Sequence, residues 1–357
     1  MQMTPVIARQ AAHLTVFHRT ANYSVPASNA PVSDEEDRLV KADYRARREQ
    51  AANSPSGLGF IPGKTSALDA TPEEREAVFE RACNRLGFGF ALCYYGILLD
   101  QKGNDAASEF VCRKIGQQVA DPVLREKLTP KGHGFGTRRP SVGSGYFETF
   151  NRGNVELADL REAPIVEFTP ESIRTTAQRH AFDVVVFATG FDAFTGSLLA
   201  PEIVGRGGLT LQRKWADGPV TQLGVSVQGF PNLLIVVGPG SPSLSNVPVS
   251  TEEQLDWLAE LLKKMDADHE VEFEATLEAE QAWVAHVNKR ATETLYMTAA
   301  SYYNGAEILG KPRVFMPYSG GVRGYRRILQ RCTHEGYSGF ALRKKPATPA
   351  GNEERTR

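Results

Sequence analysis

Two stretches decide the fold: Asp183-Val-Val-Val-Phe-Ala-Thr-Gly-Phe-Asp192 and Pro231-Asn-Leu-Leu-Ile-Val-Val-Gly-Pro-Gly240. Each is a short run of mainly β-branched and other apolar residues followed by glycine, which predicts a buried strand of a parallel sheet and then a tight turn. In open α/β sheets, the turns at the carboxyl ends of such strands hold cofactors. The sequence therefore predicts an α/β fold with a cofactor site.

Composition and charge exclude several classes of protein. The 357 residues are enough for two domains with a substantial core. With 41 basic and 42 acidic side chains, nothing favours binding to nucleic acid or to an anionic membrane. No apolar run approaches the roughly 20 residues that span a bilayer. Residues 1–9 lack the pattern of a secretory signal, so we expect a cytoplasmic protein.

The cysteines and histidines predict no metal site. Neither set has the pair spacing of metal ligands. In a reducing compartment, we expect the cysteines to be buried small apolar groups. These cysteines are Cys83, Cys93, Cys112 and Cys332.

The beginning of the chain is typical of a nucleotide-binding unit. Residues 4–10 predict the end of a helix and residues 13–20 the strand after it, whose end would meet the adenine ribose of a dinucleotide. This strand ends in Arg19 and Thr20 instead of the carboxylate that NAD requires, so NADPH is implied. An exposed arginine without a ligand is the alternative. The glycine loop expected before such a helix is not in the sequence.

Residues 26–128 are polar and carry helix-start signals. Ser33 and Thr71 each begin a capping box, and Asp121 precedes a proline at the start of a third helix. We therefore predict an inserted helical subdomain. Within it, Gly63-Lys-Thr65 is not a phosphate loop, because no strand precedes it and the required earlier glycine is absent.

Further strands and one long helix are predicted in the second half of the chain. A β-pair is expected around residues 169–171. Ser250 is predicted to cap the long helix, whose apolar stripe is Leu255, Leu258, Leu261, Leu262 and Met265. The strands are expected at 164–168, 172–175, 182–187, 209–215 and 220–227.

The stretch Lys131-Gly-His-Gly-Phe-Gly-Thr-Arg-Arg-Pro140 places two adjacent arginines after a glycine-rich turn. From residue types alone, it is more typical of a solvated basic loop. Its position, where the chain returns from the helical insert towards the predicted nucleotide-binding unit, favours a role in binding.

Several of these motifs together resemble one family. Residues 16–26, 135–140, 187–196 and 229–246 are similar to segments of Baeyer–Villiger monooxygenases of the phenylacetone and cyclohexanone type. The resemblance covers almost the whole chain and implies an α/β, two-dinucleotide-binding flavoprotein architecture, incomplete at the N-terminus, with an inserted helical subdomain. The implied domains are an incomplete NADP-binding domain (1–28 and 131–188), the helical insert (29–130), the C-terminal part of an FAD-binding domain (189–342) and a disordered tail (343–357).

The resemblance also implies roles for individual residues. Arg139 matches the catalytic arginine, whose permanently charged guanidinium would stabilise negative charge on oxygen. Ser243 and Leu244 fall in the substrate pocket, on a loop one residue shorter than usual. Arg138 stands where the family has a lysine, and Tyr302 where it often has tryptophan. The expected cofactor-binding residues are Arg19, Thr20, Arg138, Thr189, Gly190, Asp192, Gly238, Pro239, Gly240 and Tyr302.

The implied reaction uses FAD, NADPH and O2 to convert a ketone into an ester or lactone. Because the N-terminal FAD Rossmann segment is missing from the sequence, we expect this chain alone to be inactive. Two alternatives remain open. One is a flavin monooxygenase that oxidises nitrogen or sulfur, and the other is a non-catalytic fragment that needs a separate N-terminal half.

Overall fold

The computed structural model describes residues 1–345, which form two compact units. The first unit contains Met1–Tyr44, Phe60–Phe191 and Thr292–Glu307. The second unit contains Arg45–Gly59, Asp192–Ala291 and the described residues from Ile308 onward. Within this described part, no helix has the length and apolar character needed to cross a membrane.

Helices and short, separate sheets alternate along residues 1–345. The α-helices are α1 (Thr4–Gln10), α2 (Asp34–Ala42), α3 (Tyr44–Asn53), α4 (Pro72–Arg85), α5 (Gln101–Gln118), α6 (Pro122–Leu128), α7 (Tyr146–Thr149), α8 (Gly196–Leu199), α9 (Leu211–Lys214), α10 (Val247–Ala267), α11 (Leu277–Thr292) and α12 (Gly321–His334). The strands are β1 (Leu14–His18), β2 (Ser24–Pro26), β3 (Ser141–Gly143), β4 (Val155–Asp159), β5 (Ile165–Phe168), β6 (Ser172–Thr175), β7 (Arg179–Ala181), β8 (Glu270–Ala275) and β9 (Phe340–Lys344).

The first unit has two parallel strand pairs and one antiparallel sheet. Strand β1 pairs with β4, and β2 pairs with β3, both in parallel. Strands β5, β6 and β7 form the antiparallel sheet in that order. The predicted helix α1, strand β1 and β5–β6 pair are therefore confirmed, although β7 was not predicted.

The helical part of the first unit begins as the sequence predicts. The capping boxes at Ser33 and Thr71 are both formed, and Asp121 accepts hydrogen bonds at the start of α6. Helix α5 was not predicted, because Gly103 and Asn104 are weak helix formers near its start. It is stabilised by burial of one apolar face, where Phe110 packs against Phe79 and Phe90.

The prediction of a buried strand at residues 182–187 is wrong. Residues 184–192 are not in a strand, and the side chains of Val184 and Phe187 are 75% and 70% exposed. A β-branched sequence favours a strand, but a strand also requires a hydrogen-bonded neighbour. No described strand pairs with this segment.

Three further strand predictions are wrong in the second unit. Residues 211–214 form helix α9, because Thr210 caps its first turn. Residues 220–227 contain only an isolated bridge between Gln222 and Ser226. In the second organising stretch, Asn232 and Val237 adopt positive φ angles of 60° and 54°, which are incompatible with a continuous strand.

The start of α10 and the tail also differ from the predictions. The helix begins at Val247 after Asn246, so Ser250 lies inside its first turn and is not the cap. Of the predicted stripe, Leu255 and Leu262 are exposed and the other three residues are buried. The predicted tail overlaps β9 through Lys344. Residues 346–357 of that tail lie outside the described residues.

Candidate functional site

The carboxyl ends of β1 and β4 lie side by side in the first unit. His18, the last residue of β1, is in register with Asp159, the last residue of β4. The amide of Leu160 donates to the carbonyl of His18 at 2.8 Å. Because the pair is parallel, Arg19 and Arg161 leave the sheet at the same edge, where α/β sheets bind ligands.

A cavity of about 540 Å³ opens at this edge and is lined by four cationic side chains. Lys127 pairs with Glu162, and Lys131 pairs with Glu126. The other two are Arg19 and Arg161, and neither forms an ion pair with a described residue. The carboxylate of Asp159 also lines the cavity and accepts the backbone amide of Arg161 at 2.9 Å. The positive charge left unpaired therefore belongs to the two arginines.

Arg138 adds a third guanidinium to this region. Burial lowers the pKa of Arg138, and the charges of Arg19 and Arg161 lower it further. Its Nε atom is buried and has no hydrogen-bond partner among the described residues. Three guanidiniums, of which two act electrostatically on the third, together with its orphaned donor, fit an anion such as the phosphate of a nucleotide.

His18 also lines this cavity. Burial lowers the pKa of His18, the carboxylate of Asp159 raises it, and Arg161 and Lys127 lower it again. The net effect is a lowered pKa, so the imidazole is neutral at pH 7. The cavity therefore gains no further positive charge from this histidine.

Arg139, the expected catalytic residue, is exposed and follows a turn at residues 135–137. Its carbonyl accepts a hydrogen bond from Nδ2 of Asn22 at 2.8 Å. Its guanidinium carbon lies 5.1 Å above the ring of Phe88, which is a cation–π geometry. These two contacts fix the backbone and the side chain while leaving the guanidinium accessible.

The turn before Arg139 is held by a buried asparagine that the sequence did not indicate. Nδ2 of Asn104 donates to the carbonyls of Ile97 and Phe135, both at 2.8 Å. A Cβ at Gly134 would lie 2.1 Å from Oδ1 of Asn104, so glycine is required there by close packing.

Tyr302 lies in the same unit and is half-buried, with its ring 4.6 Å from that of Tyr303. Burial raises the pKa of the Tyr303 hydroxyl, the two neighbouring tyrosines raise it further, and the charge of Arg139 lowers it. Tyr303 is therefore protonated at neutral pH and lies within electrostatic reach of Arg139. The tertiary structure thus brings Arg139 and this tyrosine cluster together.

The expected cofactor residues near 190 lie in an exposed segment. Thr189 and Gly190 are exposed, and Gly190 adopts a φ of 94°. In the second unit, the carboxylate of Asp192 pairs with Lys311, whose Nζ also donates to the carbonyl of Ala193 at 2.8 Å. Asp192 is therefore anchored by an internal ion pair.

The residues Gly238, Pro239 and Gly240 are buried in the second unit. A Cβ at Gly238 would lie 2.7 Å from the carbonyl oxygen of Gly224, and one at Gly240 would lie 2.8 Å from Nε1 of Trp283. Packing alone therefore accounts for both glycines. The cavity beside Gly240 measures about 160 Å³, below the ~300–1,000 Å³ of typical small-molecule sites. The second unit by itself does not enclose a flavin ring there.

The expected pocket residues Ser243 and Leu244 are half-buried on the loop that leads into α10. The amide of Ser243 donates to the carbonyl of Ser241 at 2.8 Å. Gln254 on helix α10 binds the start of this loop. Its Oε1 accepts a hydrogen bond from the amide of Val237, and its Nε2 donates one to Oγ of Ser241 at 2.8 Å. Sequence reasoning missed Gln254, because a glutamine on a helix has no motif that marks it as buried.

Known proteins are similar to this chain in sequence and in fold, although no family model matches it. The chain is 40% identical over 342 residues to a Baeyer–Villiger monooxygenase of Pseudooceanicola batsensis, covering 95% of this chain and 62% of that protein. It is 35% identical to cyclohexanone 1,2-monooxygenase of an Acinetobacter species, covering 96% and 63% respectively. It is 38% identical to phenazine N-monooxygenase PhzNO1 of Lysobacter antibioticus, covering 98% and 64%.

Two solved structures give the same result. A steroid monooxygenase bound to NADP superposes with a TM-score of 0.90 at 44% identity, covering 96% of this chain and 64% of that one. OTEMO in complex with FAD and NADP superposes with a TM-score of 0.92 at 34% identity, covering 95% and 63%. The chain therefore spans somewhat less than two thirds of these relatives. Over about 95% of its own length, this chain is homologous to the Baeyer–Villiger monooxygenases and has the α/β fold of the corresponding part of those flavoproteins.

Proposed function

We propose that this chain is part of a flavin-dependent Baeyer–Villiger monooxygenase that uses NADPH and O2 to convert ketones into esters or lactones. The observation that carries the proposal is the pair of guanidiniums of Arg19 and Arg161 at the carboxyl ends of β1 and β4, with the electrostatically coupled Arg138 beside them. Arg19 and Arg138 would bind the 2′-phosphate of NADPH as charge-assisted donors, with the Thr20 hydroxyl beside them. Tyr302, Thr189 and Gly190 would contact the rest of this cofactor.

Arg139 is the proposed catalytic residue. An arginine guanidinium carries a permanent positive charge, so this side chain can stabilise negative charge that develops on oxygen. Phe88 and Asn22 hold it in place before the substrate arrives. Removing one preorganised donor of this kind typically costs about 3 kcal/mol of transition-state stabilisation.

FAD would supply the activation of O2 with electrons from NADPH. Asp192 and Gly238–Gly240 would contribute to its site, and Ser243 and Leu244 to the ketone pocket. A further polypeptide segment, the N-terminal half, would complete the flavin site. The relatives' greater length and the exposed apolar residues 184–187 support this part of the proposal. Four free cysteines agree with a cytoplasmic location.

An N-oxygenating activity is the second candidate. It is supported by the 38% identity to a phenazine N-monooxygenase. The two activities differ in the atom that receives oxygen, so product analysis separates them.

The test joins this chain to the segment of a homologous Baeyer–Villiger monooxygenase that it does not match. We expect the joined protein to retain FAD absorbance and to form lactone from cyclohexanone with NADPH. The R139M variant should keep the flavin band and lose about 10²–10³-fold in rate. N-oxide from phenazine without lactone would favour the second candidate. Flavin-loaded protein that oxygenates neither compound would overturn the proposal.

A further inference from the structure

Arg161 is a cation in the β1–β4 cavity that no sequence motif marks. It lies in the turn after β4, two residues beyond the strand. The carboxylate of Asp159 holds its backbone amide at 2.9 Å, and the neighbouring amide of Leu160 is bound to His18 at 2.8 Å. The turn is therefore fixed to the end of β1, and the side chain of Arg161 is directed towards the residues that follow that strand.

The guanidinium of Arg161 contacts Thr20. Its Nη2 donates to Oγ1 of Thr20 at 3.3 Å. A hydroxyl has one proton to donate and two lone pairs to accept with. Because Arg161 donates to one lone pair of this hydroxyl oxygen, the hydroxyl proton of Thr20 points away from Arg161 and can be donated to another acceptor. Arg161 therefore prepares Thr20 as a donor to an anion.

Charge gives Arg161 a second effect on the same site. Arg19 and Arg161 both line the cavity, and Arg161 acts electrostatically on Arg138 as well. The two lysines that line the cavity are already paired with glutamates. A dianion bound among these guanidiniums would relieve their mutual repulsion, whereas a neutral ribose hydroxyl would not.

We propose that Arg161 is a further specificity-determining residue for the 2′-phosphate of NADPH, acting by its charge and by orienting the Thr20 hydroxyl. The inference rests on the proposed function, because it assumes that the β1–β4 cavity binds the adenosine end of this cofactor. Its ligand chemistry is a ribose 2′-phosphate, and the corresponding nucleotide without that group should bind without help from Arg161.

The test measures binding of 2′,5′-ADP and of 5′-AMP to the purified chain by titration calorimetry. It needs neither FAD nor turnover. In R161Q, we expect affinity for 2′,5′-ADP to fall about 10-fold or more, as for a lost charge-assisted hydrogen bond. The affinity of R161Q for 5′-AMP should change less than about 2-fold, because the proposed bond to a 2′-phosphate does not exist in a nucleotide with a 2′-hydroxyl. R152Q is the matched control, because Arg152 is exposed, precedes the start of β4 and does not line the cavity.

Two further variants separate the contributions of Arg161. R161K keeps the charge and loses the planar fork, so it should recover part of the affinity. If Arg161 orients Thr20, the losses in R161Q and T20V should be less than additive in the double variant. Fully additive losses would overturn the orienting role.

The outcomes distinguish the inference from the proposed function. A wild-type chain that binds 2′,5′-ADP no better than 5′-AMP would overturn the NADPH site itself. A wild-type chain that prefers 2′,5′-ADP, together with an R161Q variant that keeps the full preference, would overturn only the role of Arg161.

Discussion

Nε2 of Gln254 lies 2.7 Å from the hydroxyl of Tyr325, and both side chains are completely buried. The Tyr325 hydroxyl in turn donates to the carbonyl of Leu223. Gln254 also binds Val237 and Ser241, so one amide group connects helices α10 and α12 to the loop at residues 237–241. This network holds the loop that carries the expected flavin-contacting residues.

Replacing Gln254 by leucine should destabilise the second unit. The change removes the acceptor of the part-buried Val237 amide and the donor to the buried hydroxyls of Ser241 and Tyr325. Leaving such buried groups without a partner typically costs about 1–3 kcal/mol. Urea unfolding measures the loss. Q281L is the control, because Gln281 is exposed on α11, and its effect should stay within about 0.5 kcal/mol. Equal stability of Q254L and Q281L would contradict the role of the network.

A methyl group at Gly134 should destabilise the first unit. Its Cβ would lie 2.1 Å from Oδ1 of Asn104, and that side chain cannot move without breaking its bonds to Ile97 and Phe135. We expect G134A to lose about 1–3 kcal/mol in free energy of unfolding, the usual cost of overpacking. G153A is the control, since a Cβ at Gly153 meets nothing within 4 Å. If G134A had the same urea midpoint of unfolding as the wild type, this packing argument would be refuted.

The contact between Phe88 and Arg139 should be measurable in a double-mutant cycle. The guanidinium lies 5.1 Å from the ring centre, at a site where such contacts are worth about 0.5–1 kcal/mol. We expect F88L and R139Q to show a coupling energy of that size when their urea unfolding is compared with that of the double variant. Strictly additive effects would mean that Phe88 does not hold the arginine.

The stability of the first unit should fall as the solution becomes acidic. The folded-state pKa values of His18 and His133 are lowered, first by burial and then by nearby cations. Below pH about 6.5, these histidines bind more protons in the unfolded chain than in the folded chain. The free energy of unfolding is therefore lower there than at pH 7.5. Urea unfolding at pH 7.5 and 5.5 measures this change.

Variants locate the origin of this pH dependence. H18Q should reduce the loss of stability between pH 7.5 and 5.5, because it removes one of the two histidines whose pKa is lowered in the folded state. H334Q, at an exposed position near the end of α12, serves as the control. The same pH dependence in H18Q as in the wild type would exclude His18 as a cause.

Local features were predictable from the sequence, and features that need a partner elsewhere in the chain were not. The capping boxes at Ser33 and Thr71 form as predicted, because each depends on a residue three positions away. The stretch 182–187 has a strand-like sequence but forms no strand, and residues 184–187 are exposed. Arg161 and Gln254 belong to no motif, so their contacts could not be predicted from the sequence.

The sequence by itself determined the homology, the start of helices α2, α4 and α6, and the pairing of a basic residue with a hydroxyl at Arg19 and Thr20. Each of these follows from side chains close together in sequence. The tertiary structure decided that β4 lies beside β1, which brings Arg161 to Thr20 across 141 positions of sequence. Such contacts depend on packing and on pairing between distant segments, and no local pattern encodes them.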